Sequence, residues 1–109
     1  MTKITFYEKD DGSIIGFQSK GHAGYGMKGT DVVCASVSAL IINAMNSIES
    51  LTHDKFRQDV NDRRATIQFE MTEGISDESQ LLLQSLRLGI TEIAKAYPGN
   101  VSILYQSCP

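Results

Sequence analysis

Two residues of this sequence, His22 and Cys34, have the types and the spacing that nucleophilic catalysis requires. Thiolate is the reactive form of cysteine, and an imidazole within hydrogen-bond reach can take the proton of the thiol. Four of the nine residues from Gly21 to Gly29 are glycine, which predicts a loop that can fold back and bring the pair together. The residue types alone also fit a plain reading, in which Cys34 is a small core residue and His22 is a hydrogen-bonded polar group.

The element that must position Cys34 is a helix predicted to begin at Asp31 or Thr30 and to end near Leu51. Apolar residues recur along it at steps of three and four, from Val33 to Ile48. We expect Cys34 to lie in the first turn, where free backbone N–H groups and the positive end of the helix dipole favour an anion. The same N–H groups can hold the oxyanion that forms when a carbonyl is attacked.

The remaining pattern predicts one α+β domain over residues 1–109, in the order ββαββαβ. Two hairpins and a last strand supply a mixed sheet that two helices cover. A second helix starts near Asp77, with Gln80 at capping-box spacing, and ends before Pro98. The strands are predicted at Thr2–Glu8, Ser13–Ser19, Lys55–Val60, Arg64–Met71 and from Val101 to Tyr105, and the apolar residues of the second helix are Leu81, Leu82, Leu86, Ile90, Ile93 and Ala94.

Residue identity around the pair adds a resemblance. The runs Gly21–Gly24 (GHAG) and Gly29–Ser38 (GTDVVCASVS) resemble the signature of the ribosomal-processing cysteine protease family, Prp, and the likeness covers the whole chain. The resemblance implies a cytoplasmic, homodimeric endopeptidase with His22 as general base and Cys34 as nucleophile. Its substrate would be large-subunit ribosomal protein number twenty-seven, which it would shorten by a small N-terminal extension, cutting after a paired phenylalanine.

Other residues near the pair are candidates for supporting roles. Asp31 can orient His22, or it can cap the helix. Ser38 lies four residues after Cys34 on the same helix face, where its hydroxyl can bond near the thiol or to its own helix backbone. The substrate-loop glycines allow the loop to change shape, so we expect a pocket that assembles only around a bound peptide. They are Gly24, Gly26 and Gly29.

Other ligand classes fit the sequence poorly. Gly24 to Gly29 is a literal G-x-G-x-x-G, but four residues, starting at Lys20, separate it from the preceding strand, whereas a dinucleotide loop follows its strand directly. Two cysteines and two histidines scattered between positions 22 and 108 are too few for a zinc site. We therefore expect neither a metal nor a cofactor.

The main alternative is a non-catalytic ribosome-associated or RNA-binding module, in which aromatic residues on strands stack bases. The candidates are Phe6, Tyr7, Phe17 and Phe69. Ten basic residues against thirteen acidic ones give a net charge of −3, which argues against direct nucleic-acid binding. The apolar run from Val37 to Ile42 is too short to span a membrane, and no leader pattern is present, so we expect a cytoplasmic protein without a membrane partner.

Overall fold

The computed structural model describes residues 1–21 and 30–108 of the chain, with the side chains of Thr30 and Asp31 excepted. These residues confirm the predicted α+β class and the order ββαββαβ. The predicted bounds differ from the observed ones by two residues at most. The elements are β1 (Thr2–Glu8), β2 (Ile14–Lys20), α1 (Thr30–Leu51), β3 (Phe56–Asn61), β4 (Thr66–Met71), α2 (Asp77–Ala96) and β5 (Val101–Ser107).

The five strands form one mixed sheet in the order β3-β4-β2-β1-β5. β1 and β5 run parallel, and the other neighbouring pairs are antiparallel. Alternate residues of the strands point to one face, which the two helices cover, and this face carries the apolar side chains. The buried apolar residues of that face are Ile4, Phe6, Ile14, Phe17, Phe69 and Val101. The mixed, helix-covered sheet predicted from the sequence is therefore confirmed.

α1 is the apolar helix of the core. Residues Val32–Leu51 have a mean hydropathy of 1.5, so by length and composition alone they could cross a membrane, although the apolar run read from the sequence is shorter. One side of this stretch is nevertheless buried in the same hydrophobic cluster as the sheet, with Val33, Val37, Ile41 and Ile48 almost fully covered. This burial is what the core helix of a folded domain shows.

α2 packs with the predicted face except at Leu81. Five of the six residues predicted to face the core do so, and they are Leu82, Leu86, Ile90, Ile93 and Ala94. Leu81 is 71% exposed, whereas Leu83, which the sequence analysis left out, is completely buried. The reason is the phase of the helix: its buried positions are Ser79, Leu83, Leu86 and Ile90, which recur at steps of three and four. Leu81 lies two residues from both Ser79 and Leu83 and so points to solvent.

The start of α2 also corrects the predicted capping box. The N-cap is Ser76, whose Oγ accepts a hydrogen bond from the N–H of Ser79 at 3.1 Å. Gln80 instead bonds across to β2, where its Oε1 accepts from the N–H of Ile14 and its Nε2 donates to the carbonyl of Ile14, both at 2.9 Å. The side chain of Gln80 thus ties α2 to the first hairpin rather than closing its own helix turn.

Candidate active site

Cys34 is the fifth residue of α1, because the helix begins at Thr30. The sequence predicted Cys34 in the first turn of the helix, but the residue lies at the start of the second turn. The thiol still lies near the first turn, because the Cα–Cβ bonds of a helix tilt toward its N-terminus. The side chain of Cys34 leans back over the first turn, where the backbone N–H groups have no partner within the helix. The side chain is half-buried and packs against the hydrophobic core.

Beside Cys34 lies a cleft of about 340 Å³ between α1 and the inner face of the sheet. The helix contributes Cys34, Val37, Ser38 and Ile42 to its wall. The sheet contributes residues from four strands and from the turn between β3 and β4, which are Thr2, Ser19, Val60, Asn61, Asp62, Ala65, Thr66 and Ile67. Cys34 is therefore accessible from a cavity that is large enough for an amino-acid side chain.

The two ends of this cleft differ in exposure and in chemistry. At the buried end, Thr2 and Ser19 are 3% and 7% exposed and bring hydroxyl groups to the inner face of the sheet. At the mouth, Ile42 and Val60 are 48% and 50% exposed and face the cleft from the helix and from β3. The cleft thus combines apolar side chains and the exposed Asp62 at its mouth with small buried polar residues, and a mainly apolar lining with a few polar groups is common in binding pockets.

The structure brings together only part of the predicted site. Ser38 lines the cleft together with Cys34, as the spacing of four residues predicts. Asp31 lies in the first turn of α1, and its side chain is outside the described residues. The other predicted residues lie outside the described part of the chain, so their roles stay predictions. They are His22, Gly24, Gly26 and Gly29.

Gly21, which directly precedes His22, is held in a conformation that requires glycine. Its φ of +86° is in the left-handed region, and a Cβ built on it would lie 2.7 Å from the backbone oxygen of Met1. Its N–H donates to the carbonyl of Ala65 at 2.9 Å, and Gly21 also lines the cleft. The chain therefore leaves β2 toward His22 from a fixed position beside the cavity.

Sequence reasoning missed the residues that the sheet contributes to the cleft. A signal for two of them was available, because Thr2 and Ser19 are polar residues at positions whose alternate neighbours, Ile4 and Phe17, point into the core. Val60 gave no such signal. Its strand is solvent-exposed along most of its length, so only the tertiary structure places it opposite Ile42.

The aromatic residues proposed as an RNA-stacking platform are placed where they cannot act as one. Phe6, Phe17 and Phe69 are completely buried, and Phe17 and Phe69 stack on each other with centroids 5.3 Å apart. Tyr7 alone of the four points to the open face, where its hydroxyl accepts a hydrogen bond from Nε2 of Gln68 at 2.9 Å. Base stacking by this set is therefore excluded.

Within residues 1–21 and 30–108, no three His, Cys, Asp or Glu side chains are grouped so as to hold a metal ion.

Comparison with known proteins identifies the family of this chain. The model of the cysteine protease Prp family matches residues 1–102 of the chain. The chain belongs to the Prp family of cysteine proteases. Among characterised relatives, the ribosomal processing cysteine protease Prp of Staphylococcus aureus is 27% identical over 106 residues, which are 97% of this chain and 100% of the relative. The Prp of Bacillus subtilis is 27% identical over 107 residues, covering 94% of this chain and 96% of the relative.

Solved structures of the family share the fold of this chain. The S. aureus Prp structure with a covalently linked product peptide superposes with a TM-score of 0.89 at 27% identity, covering 97% of this chain and 100% of the other. The same enzyme is also known in complex with a substrate peptide, again with a TM-score of 0.89. SMU.848 from Streptococcus mutans gives a TM-score of 0.86 at 28% identity, over 99% of this chain and 96% of that one. The chain is thus a cysteine protease with the Prp fold.

Proposed function

We propose that this Prp-family protease removes the short N-terminal extension of large-subunit ribosomal protein number twenty-seven, with Cys34 as the nucleophile and His22 as the general base. The observation that carries the proposal is the position of Cys34, which opens onto a cleft next to the start of α1. The relatives named as ribosomal processing proteases, and the S. aureus enzyme that binds a substrate peptide, support a peptide of ribosomal origin as substrate.

The shape of the cleft supports a hydrophobic cleavage site. Ile42 and Val60 line its mouth, and Val37 and Ile67 continue the apolar surface. Burying a phenylalanine side chain against such a surface contributes roughly 1.5–3 kcal/mol. A paired phenylalanine near the scissile bond therefore has an apolar surface beside the nucleophile, and we propose that one of its rings enters the cleft.

The proposed reaction is acyl transfer in two stages. His22 takes the proton of the Cys34 thiol, and the thiolate sulfur attacks the scissile carbonyl carbon. The Cys34 side chain leans over the first turn of α1, and the free N–H groups of that turn stabilise the oxyanion. The C–N bond then breaks, the amine leaves with the proton from His22, and a thioester remains. Water hydrolyses the thioester, which releases the carboxylic acid and restores the thiol.

The segment between the two reactive residues completes the proposal. We expect Gly24, Gly26 and Gly29 to let this segment close over the peptide and assemble the site only when substrate is bound. Asp31, near the start of α1, is then available to orient His22.

We further propose that the enzyme works in the cytoplasm, as a homodimer and without a cofactor or direct nucleic-acid contact. The dimer would show as twice the monomer mass in sedimentation equilibrium, and a monomer at working concentration would contradict it.

The test is mass spectrometry of the ribosomal precursor after incubation with the wild-type protein, Cys34→Ala, His22→Ala or Cys108→Ala. We expect wild type and Cys108→Ala to release the same N-terminal fragment, because Cys108 lies after β5, outside the cleft. Cys34→Ala and His22→Ala should release none. Cleavage that persists in Cys34→Ala would contradict the assignment of the nucleophile, and an intact precursor with wild-type protein would contradict the substrate.

A further inference from the structure

The hydroxyl group of Thr2 is an exception within an otherwise satisfied core. Thr2 is 3% exposed, and its Oγ1 is buried without a hydrogen-bond partner among the described residues. Buried hydroxyl groups in folded proteins nearly always have a partner, because leaving one unpaired costs the free energy of its desolvation. In residues 1–21 and 30–108, Thr2 is the one residue with such an unpaired buried side-chain atom.

The backbone holds Thr2 firmly, so the unpaired hydroxyl does not reflect a frayed end. Its N–H donates to the carbonyl of Asn100 at 2.9 Å, and it pairs with Val101 in the parallel ladder of β1 and β5. The next two inward residues of β1, Ile4 and Phe6, are apolar and completely buried. A valine would fill the same volume at position 2 without the polar atom, so packing does not explain the threonine.

The location of Thr2 suggests what the hydroxyl is for. Thr2 lies in the wall of the cleft that Cys34 also lines, at the buried end that faces away from the mouth. A change of χ1 by about 120° moves the hydroxyl of threonine to another staggered position, so the hydroxyl can turn to a polar atom that enters the cleft. An extended peptide brings a main-chain carbonyl at every residue.

We propose that the Thr2 hydroxyl is a substrate-binding group, which donates a hydrogen bond to a main-chain carbonyl of the peptide held beside Cys34. The inference rests on the proposed protease function and deepens it. In the free enzyme this donor is buried in the wall of the cleft without a partner among the described residues, and the peptide supplies its acceptor once the hydroxyl turns into the cleft. Hydrogen bonding by Thr2 fixes the depth of the peptide in the cleft and with it the distance of the scissile carbonyl from the sulfur.

The test compares Thr2→Val, which keeps the shape and removes the hydroxyl, with Thr2→Ser, which keeps the hydroxyl. The probe is a synthetic peptide that carries the paired phenylalanine of the precursor. We expect Thr2→Val to lower kcat/KM roughly three- to tenfold, the worth of one neutral hydrogen bond, while its melting temperature stays equal or rises. Thr2→Ser should retain most of the wild-type kcat/KM.

Three outcomes of these cleavage and melting experiments overturn the proposal. If Thr2→Val cleaves like wild type, the hydroxyl does not contact substrate. If Thr2→Ser loses as much activity as Thr2→Val, the methyl group matters and not the hydroxyl. If the melting temperature of Thr2→Val falls sharply, the hydroxyl has a structural partner in the free enzyme.

Peptide binding separates this inference from the proposed function. The Cys34→Ala protein, with and without Thr2→Val, is titrated with the fluorescently labelled peptide, and the two affinities are compared by anisotropy. Weaker binding on loss of the hydroxyl supports the role of Thr2 even if wild type fails to cleave, which would contradict only the reaction. Equal binding contradicts the role of Thr2 even if cleavage is normal, and absence of binding to both proteins contradicts both proposals.

Discussion

The two ends of α1 are built in opposite ways. At the C-terminal end, a continuous set of hydrogen bonds joins the end of α1 to the start of α2. Thr52 Oγ1 donates to the carbonyl of Ile48 at 2.7 Å and accepts from the N–H of Asp54 at 3.2 Å. Asp54 Oδ2 in turn accepts from both the N–H and the Oγ of Ser76, at 2.9 Å and 2.7 Å. The side chains of Thr52, Asp54 and Ser76 thus bond to one another or to the helix backbone, and we call this end closed.

The N-terminal end of α1 is open. The 340 Å³ cleft begins beside it at Cys34 and continues along the helix to Ile42. Its lining includes Thr2, whose Oγ1 has no hydrogen-bond partner among the described residues, and the half-exposed Val60. Gly21 adds a positive φ at the point where the chain leaves β2. Unpaired polar atoms and unusual backbone conformations both cost stability, and they collect at sites that bind and react. The protein thus keeps the hydrogen bonds that stabilise α1 at one end of the helix and the cysteine that reacts near the other.

The largest effect expected from this comparison is that of Gly21→Ala. An alanine there must adopt φ near +86° and place its Cβ 2.7 Å from the Met1 oxygen, so we expect a loss of at least about 2 kcal/mol in the free energy of unfolding. Cleavage should fall as well, because His22 follows directly. Urea unfolding measures the loss of stability, and peptide cleavage at a temperature where the variant is folded measures the loss of activity.

Gly12→Ala is the matched control for this prediction. Gly12 has a nearly identical φ of +88°, but an added Cβ meets nothing within 4 Å, and the residue lies in the hairpin turn between β1 and β2. We expect a loss of about 1 kcal/mol, from the backbone conformation alone, with unchanged cleavage. Equal effects of the two substitutions on stability and on cleavage would contradict the special position of Gly21.

Ser76→Ala should produce the converse result at the closed end. Loss of an N-cap side chain costs about 1 kcal/mol, and Ser76 Oγ also donates to Asp54. We expect a lower urea midpoint with kcat/KM unchanged, since the residue lies outside the cleft lining. A fall in kcat/KM of the folded variant would show that the two ends are coupled.

The smallest effect expected is a pH dependence that originates at the closed end. Hydrogen bonds from Ser76, and then from Ser79, lower the pKa of Asp54 below its ordinary value of 3.8. Because the folded protein binds the proton of this carboxyl more weakly than the unfolded chain does, Asp54 stabilises the fold above pH 3.8 and loses that contribution as the pH falls further.

Urea unfolding of wild type and Asp54→Asn checks this sign. The wild-type midpoint should exceed that of the variant at about pH 6, and the difference should shrink by about pH 3. A difference that is independent of pH would contradict the role of the Asp54 carboxylate. Cleavage by Asp54→Asn at neutral pH should equal that of wild type, because Asp54 lies outside the cleft lining.

Local pattern was sufficient to predict the elements of this fold. Strand alternation gave Ile4 and Phe6 on one face, and steps of three and four gave the buried side of α1, because both periods follow from backbone geometry. The pattern was less reliable in α2, where a run of three leucines left the phase ambiguous and Leu81 was wrongly placed in the core. The role of Gln80 was missed for another reason, since its partner Ile14 is distant in the chain.

The sequence by itself determined the α+β class, the helix that carries Cys34 and the resemblance to the Prp family, because these depend on local order and residue identity. Only the tertiary structure decided what surrounds the cysteine. Thr2, Ser19 and Val60 come from three different strands, and they meet opposite α1 only after the sheet has formed in its order. The cleft, its unpaired hydroxyl and the contrast between the two ends of α1 are therefore properties of long-range pairing, which local pattern does not encode.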